Sequence, residues 1–173
     1  MKSLLFVALT FFAQPARAGG KVYVFLGGRI GNLQDCAGQL SVHSRGDSGG
    51  SDVAAAVART KAGETITVAA HSDGSIFASS FIQAVKKKDP AAKINYVDFE
   101  GFRPNGGGRK GIGRSNVAGL PGVQITCVTM PGAPNYPFLK GGPGCKTIEL
   151  PAPNKCGAWC RHYAVMKCGL LNP

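Results

Sequence analysis

The chain has 173 residues and a formal net charge of +11, from 20 lysines and arginines against nine acidic residues. Beyond the first eighteen residues no apolar run approaches the length of a membrane span, which predicts a soluble protein and excludes a multi-spanning membrane protein. The positive charge favours encounters with anionic surfaces such as acidic lipids or polysaccharide. Few aromatic residues accompany the lysines, so a specific nucleic-acid-binding module is not expected.

The first eighteen residues have the pattern of a secretory signal peptide. Lys2 gives a positive start, Leu4–Phe12 is apolar, and Ala16-Arg17-Ala18 is a small-x-small cleavage site. Cleavage there leaves 155 residues and, because Lys2 and Arg17 are lost, a net charge of +9. We therefore predict a secreted protein, extracellular or periplasmic, with one domain over residues 19–173.

Short apolar runs alternate with helical patterns along the rest of the chain. The predicted strands are Lys21–Leu26, Thr65–Ala69, Ile94–Val97 and Val123–Val128, with a weak edge strand at Leu40–His43. Helices are predicted from Val53 to about Lys61 and over Ser75–Lys88. This alternation implies an α/β fold, a compact three-layer sandwich with a mostly parallel sheet covered on both faces.

The most informative run is Ala70-His71-Ser72-Asp73-Gly74, which joins a predicted strand to a predicted helix. Small residues two before and two after the serine permit a sharp turn that lifts its hydroxyl clear of the sheet. The following helix points free N–H groups and a partial positive charge at that hydroxyl, which suits an oxyanion. Ser72 is therefore a candidate nucleophile, and it needs a base and an acid.

Three histidines and three carboxylates are the candidates for these roles. His71 adjoins the nucleophile and is expected to point away from it, His43 lies near the edge strand, and His162 comes late in the chain. Asp98 directly follows a predicted strand and is the first choice for the acid. Glu100 lies two residues further on, and Glu149 is a distant third.

A second serine motif, Gly46-Asp47-Ser48-Gly49-Gly50, resembles the serine-centred motif of chymotrypsin-like proteases. Only about thirty mature residues precede Ser48, too few to hold the upstream histidine and aspartate of that double barrel. We interpret this run as a turn.

Six cysteines follow the predicted signal peptide: Cys36, Cys127, Cys145, Cys156, Cys160 and Cys168. An even count in a secreted chain indicates three disulfides, which can pair in 15 ways. Four of the six follow residue 144, so we expect the C-terminal segment to be stapled by disulfides rather than packed. The alternative is a zinc ion held by Cys156, Cys160, His162 and Cys168, whose spacing fits no familiar zinc finger.

The order of a strand and Gly-Gly loop, a strand–turn–helix around Ser72, a strand ending at Asp98 and a late His162 resembles the small α/β-hydrolases, which include compact lipases, esterases and cutinases. Ala70 in place of the first glycine is similar to small lidless bacterial lipases. The resemblance covers roughly Lys21 to Val128, with His162 added. The chain departs from the family in lacking an acid near Met130.

The resemblance implies a triad of Ser72, Asp98 and His162, because that family places its serine, acid and histidine in this order. It also implies an oxyanion hole made by the backbone N–H groups of Asp73 and of the loop near Gly28. The expected function is a secreted serine hydrolase that cleaves acyl or lipid esters as a monomer, without cofactor or metal. The alternative is a basic, disulfide-braced binding protein on a degenerate hydrolase scaffold.

Overall fold

The structure is a computed structural model of the full chain, and it describes residues 21–27, 40–101, 114–140 and 144–171. The predicted signal peptide, Gly28, Cys36 and the side chain of Cys168 lie outside the described parts.

Six parallel strands form one sheet. They are β1 (Val22–Leu26), β2 (Leu40–His43), β3 (Thr65–His71), β4 (Lys93–Phe99), β5 (Val123–Thr129) and β6 (Lys146–Glu149). Their order across the sheet is β2-β1-β3-β4-β5-β6, and every neighbouring pair is parallel. All six carboxyl ends therefore lie along one edge. The α/β character and the parallel sheet are confirmed, and β6 is a strand that the sequence did not predict.

In the described residues, four α-helices accompany the sheet: α1 (Gly50–Lys61), α2 (Gly74–Lys88), α3 (Tyr136–Leu139) and α4 (Ala158–Ala164). Within the described segments no helix is long and apolar enough to cross a membrane. Lys86 lies in the last turn of α2 and is buried, and its Nζ donates to the backbone carbonyls of Pro90, Ala92 (3.0 Å) and Pro121 (2.7 Å). The neighbouring Lys87 and Lys88 are exposed.

The two faces of the sheet bury separate apolar clusters. One face packs against α1 and α2, with Val57, Phe81 and Val85 among the buried side chains. The other face packs against the C-terminal segment, where Val165 and Leu171 are buried. The tail contains a disulfide, as expected, but the expectation that it is not packed was wrong: a strand, a helix and apolar side chains of the tail complete the second face.

Two disulfides lie in the described residues, Cys127–Cys145 and Cys156–Cys160. The first joins β5 to the segment that leads into β6, and the second closes a short loop at the start of α4. Because Cys156 and Cys160 are paired with each other, neither provides the free thiolate that zinc requires. Disulfides of this kind indicate a non-cytosolic protein.

Candidate active site

Ser72 lies in the turn between β3 and α2 with φ = +56°. Its N–H donates to the carbonyl of Phe99 (3.2 Å), and its own carbonyl accepts from the N–H of Ser75 (3.2 Å). The left-handed region is costly for any residue with a Cβ and persists only where the surrounding structure imposes it. The sharp turn predicted around Ser72 is therefore present, at the carboxyl edge of the sheet.

The end of β1 explains the glycine of the turn. A Cβ on Gly74 would lie 2.1 Å from the carbonyl oxygen of Phe25, and a Cβ on Gly27 would lie 2.2 Å from the backbone nitrogen of Asp73. The N–H of Gly27 also donates to the carbonyl of His71 (3.0 Å). Glycine is needed on both sides because the two backbones touch.

The strain at Ser72 can be tested through stability alone. Ser72→Gly is expected to be more stable than Ser72→Ala by about 1 kcal/mol, since only glycine adopts φ = +56° without a Cβ clash. Ser80, in the middle of α2, is the matched control, where alanine should be better than glycine by about 1 kcal/mol. Chemical denaturation of the four variants measures both differences. The same preference for alanine at both positions would contradict a left-handed turn at Ser72.

Glu100 and His162 meet beside this turn. Nδ1 of His162 lies 3.5 Å from Oε2 of Glu100. This distance is short enough for an electrostatic contact but too long for a good hydrogen bond. Both side chains are buried. Thr129 Oγ1 donates to Oε1 of Glu100, and the N–H of Asn135 donates to Oε2 (3.0 Å). The carboxylate is thus fixed on one side and faces an imidazole on the other.

His71, the residue before Ser72, contacts His162. Its Nε2 lies 2.9 Å from the backbone carbonyl of His162, and the two rings are 4.5 Å apart. Burial lowers the pKa of His71 to about 4, so its ring is neutral at pH 7 and Nε2–H is the donor to that carbonyl. The structural role expected for His71 agrees with this contact. Among the described hydrogen bonds none joins Ser72 Oγ to His162.

Arg161 and the Cys156–Cys160 disulfide hold α4 in place. Arg161 Nε donates to the carbonyl of Cys156 (2.8 Å), and its Nη1 donates to the carbonyl of Pro131 (2.8 Å). The helix that carries His162 is therefore attached both to its own loop and to the segment after β5.

Asp98 lies against Arg114 rather than His162. Arg114 Nη1 is 3.2 Å from Asp98 Oδ2, and both side chains are almost fully buried. Burial raises the pKa of Asp98 to about 6 in spite of the neighbouring guanidinium. The carboxylate that contacts His162 is therefore Glu100, the second choice from the sequence, whereas Asp98, the first choice, contacts Arg114.

His43 belongs to a separate polar cluster at the end of β2. Its Nδ1 lies 2.7 Å from Asp47 Oδ2 and its Nε2 lies 3.3 Å from Asp52 Oδ2, while the Ser41 hydroxyl donates to Asp52. Its ring stacks on Phe25 at 4.7 Å. Both ring nitrogens of His43 therefore face carboxylates.

The Gly46–Gly50 run forms the turn that begins α1, as interpreted from the sequence. Asp47 Oδ1 accepts the N–H of Gly49 (2.7 Å), and Ser48 is exposed. The adjacent Arg45 Nη2 lies 3.6 Å from Asp73 Oδ2, so this loop reaches the rim of the Ser72 turn. Asp73 is the N-cap residue of α2 and makes no side-chain cap hydrogen bond. The predicted second donor, Gly28, is not among the described residues.

Comparisons with family models, curated proteins and solved structures found no match for this chain. The site is therefore interpreted from its own residues. Thr129 and Asn135 were missed from the sequence because they lie 29 and 35 residues after Glu100. Strand pairing is the one signal that could have placed Thr129 near Glu100. Phe99 is opposite Val128 in the β4–β5 ladder, and Glu100 and Thr129 are the residues that follow this pair.

Proposed function

We propose that this protein is a serine hydrolase that cleaves carboxylic esters, with Ser72 as nucleophile, His162 as base and Glu100 as the acid that orients it. The observation that carries the proposal is the left-handed Ser72 at the start of α2, one residue from His71, which holds the carbonyl of His162 while Nδ1 of His162 faces Glu100. Nucleophile, base and acid recur on unrelated folds in this relation.

The place of Ser72 in the sheet supports the same proposal. The strand order reverses between β1 and β3, because the chain moves to one side for β2 and to the other for β3. Open parallel sheets bind their ligands at the carboxyl edge of such a switch point. Ser72 at the end of β3 and Gly27 at the end of β1 flank it.

The proposed reaction uses these groups in two steps. Nε2 of His162 takes the proton of Ser72 Oγ as the oxygen attacks the ester carbonyl carbon, and the resulting oxyanion accepts the N–H of Asp73. Collapse expels the alcohol, which takes the proton from His162. Water, deprotonated by His162, then attacks the acyl–Ser72 ester; collapse releases the carboxylic acid, and His162 returns the proton to Ser72 Oγ. Binding of the ester closes the Ser72–His162 hydrogen bond, which free enzymes often lack.

The proposal is tested by the hydrolysis of p-nitrophenyl acetate and butyrate by the oxidised protein. We expect saturable turnover that is lost on treatment with a serine-directed inhibitor. Folded protein with no turnover above the buffer rate would instead favour the non-catalytic binding protein.

The hydrogen bond from His71 gives a more specific expectation. His71→Phe keeps a ring but loses the donor to the carbonyl of His162, so His162 loses its alignment and kcat should fall by about 10- to 100-fold. His71→Gln retains an N–H near the same place and should recover part of the loss. We expect KM to change little, because the His71 side chain is buried. A His71→Phe variant with wild-type kcat would contradict this role.

A further inference from the structure

Helix α4 presents two large aromatic side chains to solvent beside the candidate active site. Trp159 is 67% exposed and Tyr163 is 45% exposed. They are four residues apart and so lie on the same side of the helix. Each contacts the ring of His162 edge-on, at 5.6 Å and 5.3 Å between centroids. An exposed pair of large aromatics is unusual on a protein surface and indicates a surface that binds something.

The exposed charged residues next to this pair in the chain have one sign. Lys155 and Lys167 are exposed and flank α4 on either side in the chain. Arg161 is two residues from each aromatic, so it points to another side of the helix, where it binds the carbonyls of Cys156 and Pro131. No acidic residue follows Glu149 in the sequence. The aromatic surface therefore lies in a basic setting, which disfavours a second copy of the same face and favours an anionic partner.

We propose that the exposed side of α4 binds the surface of an anionic phospholipid membrane. Trp159 and Tyr163 would lie at headgroup level, where amphipathic aromatic rings are favoured, and Lys155 and Lys167 would face the phosphates. The Cys156–Cys160 disulfide and the bonds of Arg161 fix the helix beforehand, so little ordering is needed on binding. Membrane binding itself does not depend on the proposed function. Only one part of the inference rests on the proposed function, namely that docking brings lipid esters to Ser72 as substrates.

The chain offers a direct probe, because Trp159 is its only tryptophan. The Ser72→Ala protein cleaved after Ala18, which leaves lipid intact, is mixed with vesicles of phosphatidylcholine alone or of equal parts phosphatidylcholine and phosphatidylglycerol. We expect a blue shift of Trp159 emission with the anionic vesicles, weakened by 0.5 M salt, and little change with the neutral ones.

Charge variants separate this surface from the rest of the basic protein. Lys155→Gln with Lys167→Gln should weaken binding to the anionic vesicles roughly tenfold or more. Lys87→Gln with Lys88→Gln is the matched control, because these exposed lysines end α2 at about 20 Å from its start beside Ser72, and binding should stay within about twofold. Trp159→Ser, followed by vesicle sedimentation, should also lose binding.

Three outcomes would overturn the inference. They are unchanged emission with anionic vesicles, equal binding to both compositions, and a greater loss from the Lys87 and Lys88 variant than from the Lys155 and Lys167 variant. A blue shift that grows with protein concentration without vesicles would instead indicate a second copy on this face. Turnover of soluble esters is measured separately, so a failure of docking and a failure of the hydrolase proposal are distinguishable.

Discussion

Replacing Ser72 by alanine is expected to lower kcat for ester hydrolysis by about 10⁴- to 10⁶-fold. The substitution removes the attacking oxygen while leaving the turn, and no described hydrogen bond uses that oxygen, so the melting temperature should barely change. The measurement is turnover of p-nitrophenyl butyrate beside a thermal melt. Ser48→Ala is the matched control, because Ser48 lies in the other serine motif and is exposed, and it should keep wild-type activity.

The base is tested with the same substrate. His162→Ala should cost about as much as Ser72→Ala, and the double variant should be no worse than either, because groups that act as one unit are not additive. Multiplicative losses would indicate that Ser72 and His162 act independently. A His162→Ala protein that keeps activity within tenfold of wild type would exclude it as the base.

The second large effect concerns the acid. Glu100→Gln keeps the shape of the side chain but removes the negative charge that faces Nδ1 of His162 and stabilises the imidazolium. We therefore expect kcat to fall by about 10⁴-fold. Asp98→Asn is the matched control, because Asp98 lies two residues before Glu100, is equally buried and contacts Arg114; this variant should keep activity within a few-fold. Measurement of kcat for both variants decides between the two carboxylates. Loss of activity only in Asp98→Asn would reverse the assignment.

Asp98→Asn should also fold, because burial disfavours the charged form of Asp98. The same effect makes the stability of the wild type depend on pH. The pKa of Asp98 is raised to about 6, so its contribution to stability is present below its ordinary pKa and is lost as the pH rises through 6. Asparagine does not titrate. Denaturation at several pH values should therefore show that the free energy of unfolding of the wild type falls, relative to that of Asp98→Asn, between pH 4 and pH 6, by about 3 kcal/mol at most.

Much of the fold could be predicted because its signals are local. The buried strands β1, β3, β4 and β5 and the helix α2 each have a clear apolar pattern in the sequence, and the small residues around Ser72 predict the turn. Strand β6 and helix α4 were missed because both are short and lie in a segment rich in Pro, Gly and Cys. They form through pairing with β5 and packing on the second face, which no local pattern reveals.

The choice of the acid, Asp98 or Glu100, could not be predicted from the sequence for a similar reason. Strand alternation suggests that Asp98 and Glu100 point to the same side, and both follow apolar residues. In the structure Glu100 has φ = +46°, which breaks the alternation and turns its carboxylate toward His162 and Thr129. A left-handed non-glycine residue is imposed by tertiary contacts, and nothing in the sequence announces it.

Covalent labelling tests the central claim most directly. A fluorophosphonate reacts when an activated serine oxygen attacks phosphorus and expels fluoride, so the oxidised protein should gain one adduct, which peptide mass spectrometry should place on Ser72. The adduct should be absent in Ser72→Ala, slow in Glu100→Gln, and unaffected by Ser48→Ala. A folded protein that takes up no adduct, or takes it up at another serine, would contradict an activated Ser72.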